Sequence, residues 1–260
     1  LAGKYGFILI GSDNSRNGLP GAKIRNILSS LFREIMTVYP IDTNRIYLTG
    51  FSGGSRIACM AAIENPRIRG VICCGAGLPG TARPDRTHRF DYFGIVGTAD
   101  FNMAEMLQLD EPMTQAGMRH FITTFPGPHD WPPVAVMEEG FQWITLNAMR
   151  DGILKRDDAL IAQIMSGFDK RVAVARQDNH LIVAEKICSE AFQFADGLIA
   201  SDHYQAQSKV IEQLPEYKKQ LASLSSVMKK EAEEQSLFEN AILSKDLQWW
   251  KNRIAKMESG

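Results

Sequence analysis

The order of apolar and polar positions changes character near residue 150. Before it, short apolar runs typical of buried strands alternate with stretches whose apolar side chains recur every three or four residues, as in helices. The pattern predicts strands over 5–10, 45–48, 69–74, 90–96 and 119–125, and helices over 22–39, 52–63, 102–118 and 134–149. Strands that alternate with helices form mostly parallel sheets covered on both faces, so we predict an α/β domain over 1–150.

Residues 151–260 follow the helical pattern almost without interruption. Glycine and proline mark turns, and 17 of the 21 glycines and 10 of the 11 prolines precede residue 151. We therefore predict a second, all-α domain of helical hairpins over 151–260. Its charged stretch, 212–239, is typical of a solvated helix face, and a tetratricopeptide-like array is an alternative that no clear repeat period supports. Trp249 and Trp250 are expected to anchor the last helix.

Composition excludes some classes of protein. The chain of 260 residues is 45% hydrophobic, with a formal net charge of −1. A nucleic-acid binder usually has a basic excess, and a binder of anionic membranes carries a polybasic patch. No apolar run approaches the roughly 18 residues of a membrane span. We therefore predict no nucleic-acid partner and no membrane span.

The cysteines and the first residue bear on the compartment. The four cysteines form no CxxC pair, and Cys73 and Cys74 lie in an apolar run, as small core residues do. The chain starts at Leu1 rather than Met, from which we expect a processed or trimmed N-terminus, compatible with a bacterial periplasmic or secreted location. These features leave the compartment undetermined.

Residues 50–54, GFSGG, match the pattern G-x-S-x-G. The motif follows a predicted strand directly and opens a predicted helix, which is the context that a nucleophile elbow requires. Ser52 would then stand at a helix N-terminus, where backbone N–H groups stabilise developing negative charge. We predict Ser52 as the nucleophile and the backbone N–H of Gly53 as an oxyanion donor.

A serine nucleophile needs a base, and we predict His129. It lies in the loop FPGPHDW, directly after the predicted strand 119–125. His120 falls inside that strand and is predicted to be structural, and His88 precedes a strand, at the wrong edge of the sheet. A serine hydroxyl becomes a good nucleophile when such a histidine accepts its proton.

Asp100 is the predicted acid of the triad. It follows the strand 90–96 after a tight turn, from which it would hold the imidazole tautomer and stabilise the imidazolium. Glu105 and Asp110 are weaker alternatives on the following helix, and Asp130 is too close to His129 in sequence for this role.

Three segments carry a resemblance to a known family. YPIDTNRIYLTGFSGGSRIA, IVGTADFN and FPGPHDWPP resemble the esterase branch of the α/β-hydrolase fold that includes poly(3-hydroxybutyrate) depolymerases and feruloyl esterases. The resemblance covers about residues 4–148. It implies an α/β-hydrolase three-layer sandwich and a serine hydrolase with Ser52, Asp100 and His129 as its triad. The segment 151–260 resembles the tetratricopeptide-like tails of some bacterial hydrolases of this type.

The chain departs from this family at its start. Family members begin with two to four further strands and a His-Gly loop whose backbone N–H completes the oxyanion hole. We therefore expect a hydrolase domain without its N-terminal strands. Because losing one oxyanion donor removes about 2.7–4 kcal/mol of transition-state stabilisation, the chain is expected to be weakly active or inactive.

The predicted function is hydrolysis of a small or carbohydrate-linked ester through an acyl-enzyme, with peptidase and dienelactone-type hydrolysis left open. No cofactor or metal is required, and the sequence has no HExxH motif. Asp13 and Asn14, in the loop 11–18, and Trp131, beside His129, are candidates for substrate binding. The alternative is a catalytically degenerate scaffold whose tail, 151–260, binds a protein partner.

Overall fold

Four parallel strands form the centre of the first part of the chain. The computed structural model describes residues 1–80 and 82–258 and places the strands at β1 (Ile46–Phe51), β2 (Ile68–Cys74), β3 (Asp91–Gly97) and β4 (His120–Phe125). They pair in the order β1-β2-β3-β4, and every pair is parallel. Since parallel neighbours cannot be joined by a tight hairpin, each connection runs over a face of the sheet.

Helices cover both faces of the sheet and supply two of the three connections, whereas residues 75–90, between β2 and β3, contain no helix in the described part of the chain. The helices are α1 (Gly21–Val38), α2 (Gly53–Glu64), α3 (Met103–Leu107), α4 (Asp110–Gln115) and α5 (Val134–Arg150). Successive strand residues point to opposite faces. Val71, Cys73 and Tyr92 face one core that contains side chains of α1, α2 and α4. On the other face, Gly140 of α5 lets that helix approach Ile72 and Phe93 closely. The predicted α/β class is confirmed.

The strand predicted over 5–10 is wrong. Residues Ala2–Tyr5 form a short 3-10 helix, Gly6 has a left-handed backbone, and residues 7–10 belong to no regular element. Ile8 and Leu9 are exposed, whereas Phe7 packs against the rings of Tyr47 and Phe141. An apolar run becomes a strand only where a neighbouring strand pairs with it, and β1 pairs with β2 alone in the described part of the chain.

The single helix predicted over 102–118 is also wrong, because two short helices, α3 and α4, replace it. Pro112 has no N–H to donate, and its ring would collide with the carbonyl of Gln108 in a continuous helix. The chain therefore turns at Gln108 and Leu109, and Gly117 ends the segment with a left-handed backbone. The other predicted elements of this part agree with the structure within a few residues.

The remaining chain is helical, as predicted. It contains α6 (Asp158–Gln177), α7 (Leu181–Ala195), α8 (Asp202–Gln213), α9 (Pro215–Ser244) and α10 (Leu247–Glu258). Trp250 stacks on Phe238 of α9, with 5.9 Å between ring centroids, so it holds α10 against α9. No helix among the described residues is long and apolar enough to cross a membrane.

Contacts divide the chain into two compact units, Leu1–Ala162 and Gln163–Gly260. The division falls within α6, and the boundary predicted at 150/151 lies at the end of α5. The four cysteines are free and buried, with Cys73 and Cys74 inside β2.

The first residue of β3, Asp91, makes stability depend on pH. Burial raises the pKa of its carboxyl to about 6, although the Arg119 guanidinium, 3.5 Å away, opposes this shift. The folded chain then holds this proton more tightly than the unfolded chain, whose aspartates titrate near pH 3.9. The contribution of Asp91 is therefore largest below about pH 4 and is lost as the pH rises through 6.

We expect Asp91→Asn to remove this loss, because an amide does not ionise. The free energy of unfolding of the variant, relative to the unaltered chain, should rise between pH 4 and pH 7 by up to about 2–3 kcal/mol. Urea denaturation of both proteins at a series of pH values measures the difference. A difference that stays constant across this range would contradict the assignment.

Candidate active site

Ser52 lies at the turn between β1 and α2, in a strained backbone conformation. Its φ of 54° and ψ of −117° are rarely adopted by residues other than glycine. Its N–H donates a hydrogen bond of 2.7 Å to the carbonyl of Cys74, and its own carbonyl accepts one of 3.0 Å from the N–H of Ser55. The end of β2 and the first turn of α2 thus fix the turn from both sides.

Two glycines allow the close approaches that build the site. A Cβ on Gly50 would lie 2.3 Å from the carbonyl carbon of Gly54, so only glycine lets α2 start directly against β1. A Cβ on Gly97 would lie 2.3 Å from the carbonyl oxygen of Gly127, in the loop after β4. The absence of a side chain at Gly97 lets this loop cross the end of β3.

The loop after β4 brings His129 to Ser52. The Nε2 atom of His129 lies 3.0 Å from the Ser52 Oγ, and the Nδ1 atom lies 2.8 Å from the Asp100 Oδ2. A carboxylate can only accept, so Nδ1 carries the proton and donates it to Asp100. The unprotonated Nε2 then accepts the hydrogen bond of the Ser52 hydroxyl.

Asp100 is buried and firmly held. Only 6% of its surface is exposed, and its second oxygen, Oδ1, accepts a 2.8 Å hydrogen bond from the backbone N–H of Asn102. The Asn102 side chain donates to the carbonyl of Gly75, also at 2.8 Å, which ties the loops after β2 and β3 together. Asp100 therefore orients the imidazole from a fixed position.

The alternative acids have other partners. Arg56 of α2 donates to both carboxylate oxygens of Glu105, at 2.9 and 2.7 Å, and this contact lowers the Glu105 pKa. Asp110 lies 3.2 Å from the Nε2 of His120, and Asp130 accepts the N–H of Trp131. The structure thus brings together Ser52, His129 and Asp100 and places the alternatives in other contacts.

Aromatic rings surround the imidazole. The ring of Phe101 lies 4.2 Å from that of His129, and the ring of Phe51 lies 4.7 Å from it. Trp131 packs against Phe51 at 5.5 Å and is half exposed, whereas Phe101 is 78% exposed. Sequence reasoning missed Phe51 and Phe101, although each adjoins a triad residue in the sequence and could have been found from that position.

The loop 11–18 approaches Gly53, the residue after the nucleophile, through a residue that the sequence did not single out. Asp13 and Asn14 are exposed. The side-chain amide of Asn17 instead fills the space beside Gly53, where a Cβ would lie 1.8 Å from its Oδ1. Glycine at residue 53 thus leaves room for the Asn17 amide. No group of three or more metal-ligating side chains converges among the described residues.

Comparisons with known proteins find similarity only among solved structures. No protein family matches the chain, and no curated protein matches it. The carboxylesterase of Bacillus cereus is 19% identical at a TM-score of 0.39, with 50% of this chain and 64% of that chain covered. The S-formylglutathione hydrolase of Staphylococcus aureus is 12% identical at a TM-score of 0.39, with 48% of this chain and 61% of that chain covered. The acylaminoacyl peptidase of Pyrococcus horikoshii is 13% identical at a TM-score of 0.39, with 52% of this chain and 28% of that chain covered.

The chain thus spans less than two thirds of the length of each of these proteins. Similarities at this level assign neither a family nor an activity to it. The fold class follows from its own strands and helices.

Proposed function

We propose that the chain is a serine hydrolase that cleaves carboxylic esters through an acyl-enzyme. The observation that carries this proposal is the hydrogen-bonded line from the Ser52 hydroxyl through His129 to the buried Asp100. A nucleophile, a base and an orienting carboxylate in this order activate a serine hydroxyl. The strained backbone of Ser52 supports the same role, since strain of this kind concentrates at functional sites.

The geometry supports the following first half-reaction. The Nε2 of His129 accepts the proton of Ser52 as Oγ bonds to the carbonyl carbon of the ester, and the carbonyl oxygen takes the displaced electron pair. The backbone N–H of Gly53, at the start of α2, would donate to this oxyanion. The oxyanion then reforms the carbonyl, the bond to the alcohol oxygen breaks, and His129 returns the proton to the leaving alcohol.

Water completes the cycle by the same route. The Nε2 of His129 takes a proton from water as the water oxygen attacks the acyl carbon. The second intermediate then collapses, the bond between the acyl carbon and the Ser52 Oγ breaks, and His129 returns the proton to Oγ as the acid leaves. Asp100 keeps its hydrogen bond to Nδ1 throughout and stabilises the imidazolium that forms in each half-reaction.

The aromatic rings around His129 indicate where the alcohol part binds. The leaving oxygen must lie near Nε2, since His129 protonates it. Phe51, Phe101 and Trp131 stand around that imidazole and offer apolar surface for the alcohol. In line with the resemblance of the sequence to the esterase branch, we propose a small or carbohydrate-linked ester as the substrate class.

A second candidate function concerns the unit Gln163–Gly260. Its helix α9 exposes large apolar side chains, among them Leu224, Val227 and Met228. We propose that this surface binds a protein partner. Such binding could accompany catalysis in an active enzyme, or it could be the function of a hydrolase scaffold that has lost its catalytic activity. Truncation of the chain before α7 tests whether the two roles are separate. Retained esterase activity together with loss of partner binding would show that they are.

Hydrolysis of 4-nitrophenyl acetate tests the proposed reaction. We expect a burst of 4-nitrophenol of up to one acyl group per chain, followed by slower turnover, as acyl-enzyme formation outpaces hydrolysis. Both phases should be slow where Gly53 supplies a single oxyanion donor. The anilide 4-nitroacetanilide serves as the matched amide. The absence of both a burst and turnover with the ester would contradict the proposal, and faster cleavage of the anilide would indicate a peptidase.

A further inference from the structure

A cavity of about 220 Å³ lies beside Gly53, the residue that follows the nucleophile. It is bordered by the loop 16–19, the start of α1 and the first turns of α2. Most of its wall is apolar, formed by Leu19, Ile24, Ile57, Met60 and Pro79. This cavity is not explained by the triad or by the aromatic rings around His129.

Its position identifies which part of an ester it can hold. In the tetrahedral intermediate, the oxyanion faces Gly53 and the leaving alcohol faces His129. Gly53 lines the cavity together with Asn17, whose side-chain amide lies directly beside it, whereas neither His129 nor its aromatic neighbours belong to the described lining residues. The substituent that enters from the Gly53 side is therefore the one that stays on the carbonyl carbon, which is the acyl chain.

The size of the cavity limits that chain. Pockets for drug-sized ligands measure about 300–1,000 Å³, and this cavity is smaller. Ile57 and Met60 are three residues apart on α2, so their side chains share one face of the helix and together narrow the space. A short aliphatic chain fits such a space.

The charge at the cavity favours an anion at the end of that chain. Two arginines, Arg16 and Arg56, line it, and no acidic side chain does so among the described residues. Glu105 pairs with Arg56 and largely neutralises it. Arg16 is exposed and has neither a hydrogen-bond nor an ion-pair partner in the part of the chain that the structure describes. Guanidinium groups bind carboxylates through paired, charge-assisted hydrogen bonds.

We propose that this cavity binds a short acyl chain that ends in a carboxylate, with Arg16 as the cation that receives it. The substrate class is then a half-ester of a short dicarboxylic acid. This inference rests on the ester hydrolysis proposed above. The inference adds a specificity for the acyl group of the ester, which the triad alone does not define.

Two ethyl esters of equal chain length test the proposal. Monoethyl glutarate carries a carboxylate where ethyl pentanoate carries a methyl group, and ethanol release gives kcat/KM for each. We expect a preference of about tenfold for the glutarate, within the range of a hydrogen bond between charged groups. Arg16→Gln should reduce this ratio to about one, and Arg16→Lys should retain part of it.

Arg33→Gln is the matched control, since Arg33 is an exposed arginine on α1 that does not line the cavity. It should leave the ratio unchanged. Added salt should lower the ratio of the unaltered chain toward that of Arg16→Gln, because it screens an exposed charge.

The outcomes separate this inference from the proposed function. Suppose that the chain cleaves 4-nitrophenyl acetate, and that the ratio of kcat/KM for monoethyl glutarate to that for ethyl pentanoate is the same in the unaltered chain and in Arg16→Gln. That result would overturn the inference and leave the proposed esterase activity intact. Failure to cleave any ester, including 4-nitrophenyl acetate, would overturn both.

Discussion

Ser52→Ala is expected to lower kcat/KM for 4-nitrophenyl acetate by about 10⁶-fold, or to the uncatalysed rate if that is reached first. Alanine keeps the Cβ and removes only the oxygen that would attack the ester. The hydrogen bonds of Ser52 to Cys74 and Ser55 use its backbone, so the turn should persist. Stability should therefore change little while the activity disappears.

Release of 4-nitrophenol and the midpoint of urea unfolding are the two readouts. Ser29→Ala, which removes the hydroxyl of an exposed serine on α1, is the matched control and should leave both unchanged. Activity in Ser52→Ala that exceeds the uncatalysed rate and equals that of the unaltered chain would exclude Ser52 as the nucleophile.

Asp100→Asn is expected to lower kcat/KM by about 10⁴-fold, because the amide imposes the wrong tautomer on His129. The backbone N–H of Asn102 requires an acceptor at the position of Oδ1. The amide oxygen of the new side chain must take that place, which turns its NH₂ group toward His129. Nδ1 then accepts, Nε2 carries the proton, and the base can no longer accept the Ser52 proton.

The rate of 4-nitrophenyl acetate hydrolysis in folded protein measures this effect. Asp110→Asn is its control, since Asp110 contacts His120 rather than His129. Asp110→Asn should leave the rate nearly unchanged, because the partner of Asp110 is His120, which lies outside the triad. Equal losses in the two variants would show that Asp100 has no special role in orienting the base.

Local patterns predicted most of the α/β unit because its strands are short apolar runs between turns. The run 5–10 is as apolar as β2 and still forms no strand. Ile8 and Leu9 are 57% and 70% exposed, whereas Val71 and Ile72 of β2 are fully buried. The difference lies in pairing with distant segments, which no short window of sequence contains. The break at Pro112, by contrast, was visible in the sequence.

The candidate site likewise contains residues that the sequence could predict and residues that it could not. The loops of Ser52, Asp100 and His129 could be chosen because each follows the carboxyl end of a strand, and such ends meet at one edge of a parallel sheet. The packing of Phe51 and Phe101 on His129, and of Asn17 beside Gly53, depends on how loops distant in sequence come together.

Labelling with a fluorophosphonate probe, followed by peptide mapping, tests the central claim most directly. The probe bonds to a serine oxygen only where a base and oxyanion donors activate it. We expect one adduct per chain, on Ser52, with no adduct in Ser52→Ala and much slower labelling in Asp100→Asn. The absence of any adduct on the folded chain, or labelling of another serine that persists in Ser52→Ala, would contradict the claim that Ser52, His129 and Asp100 form a working triad.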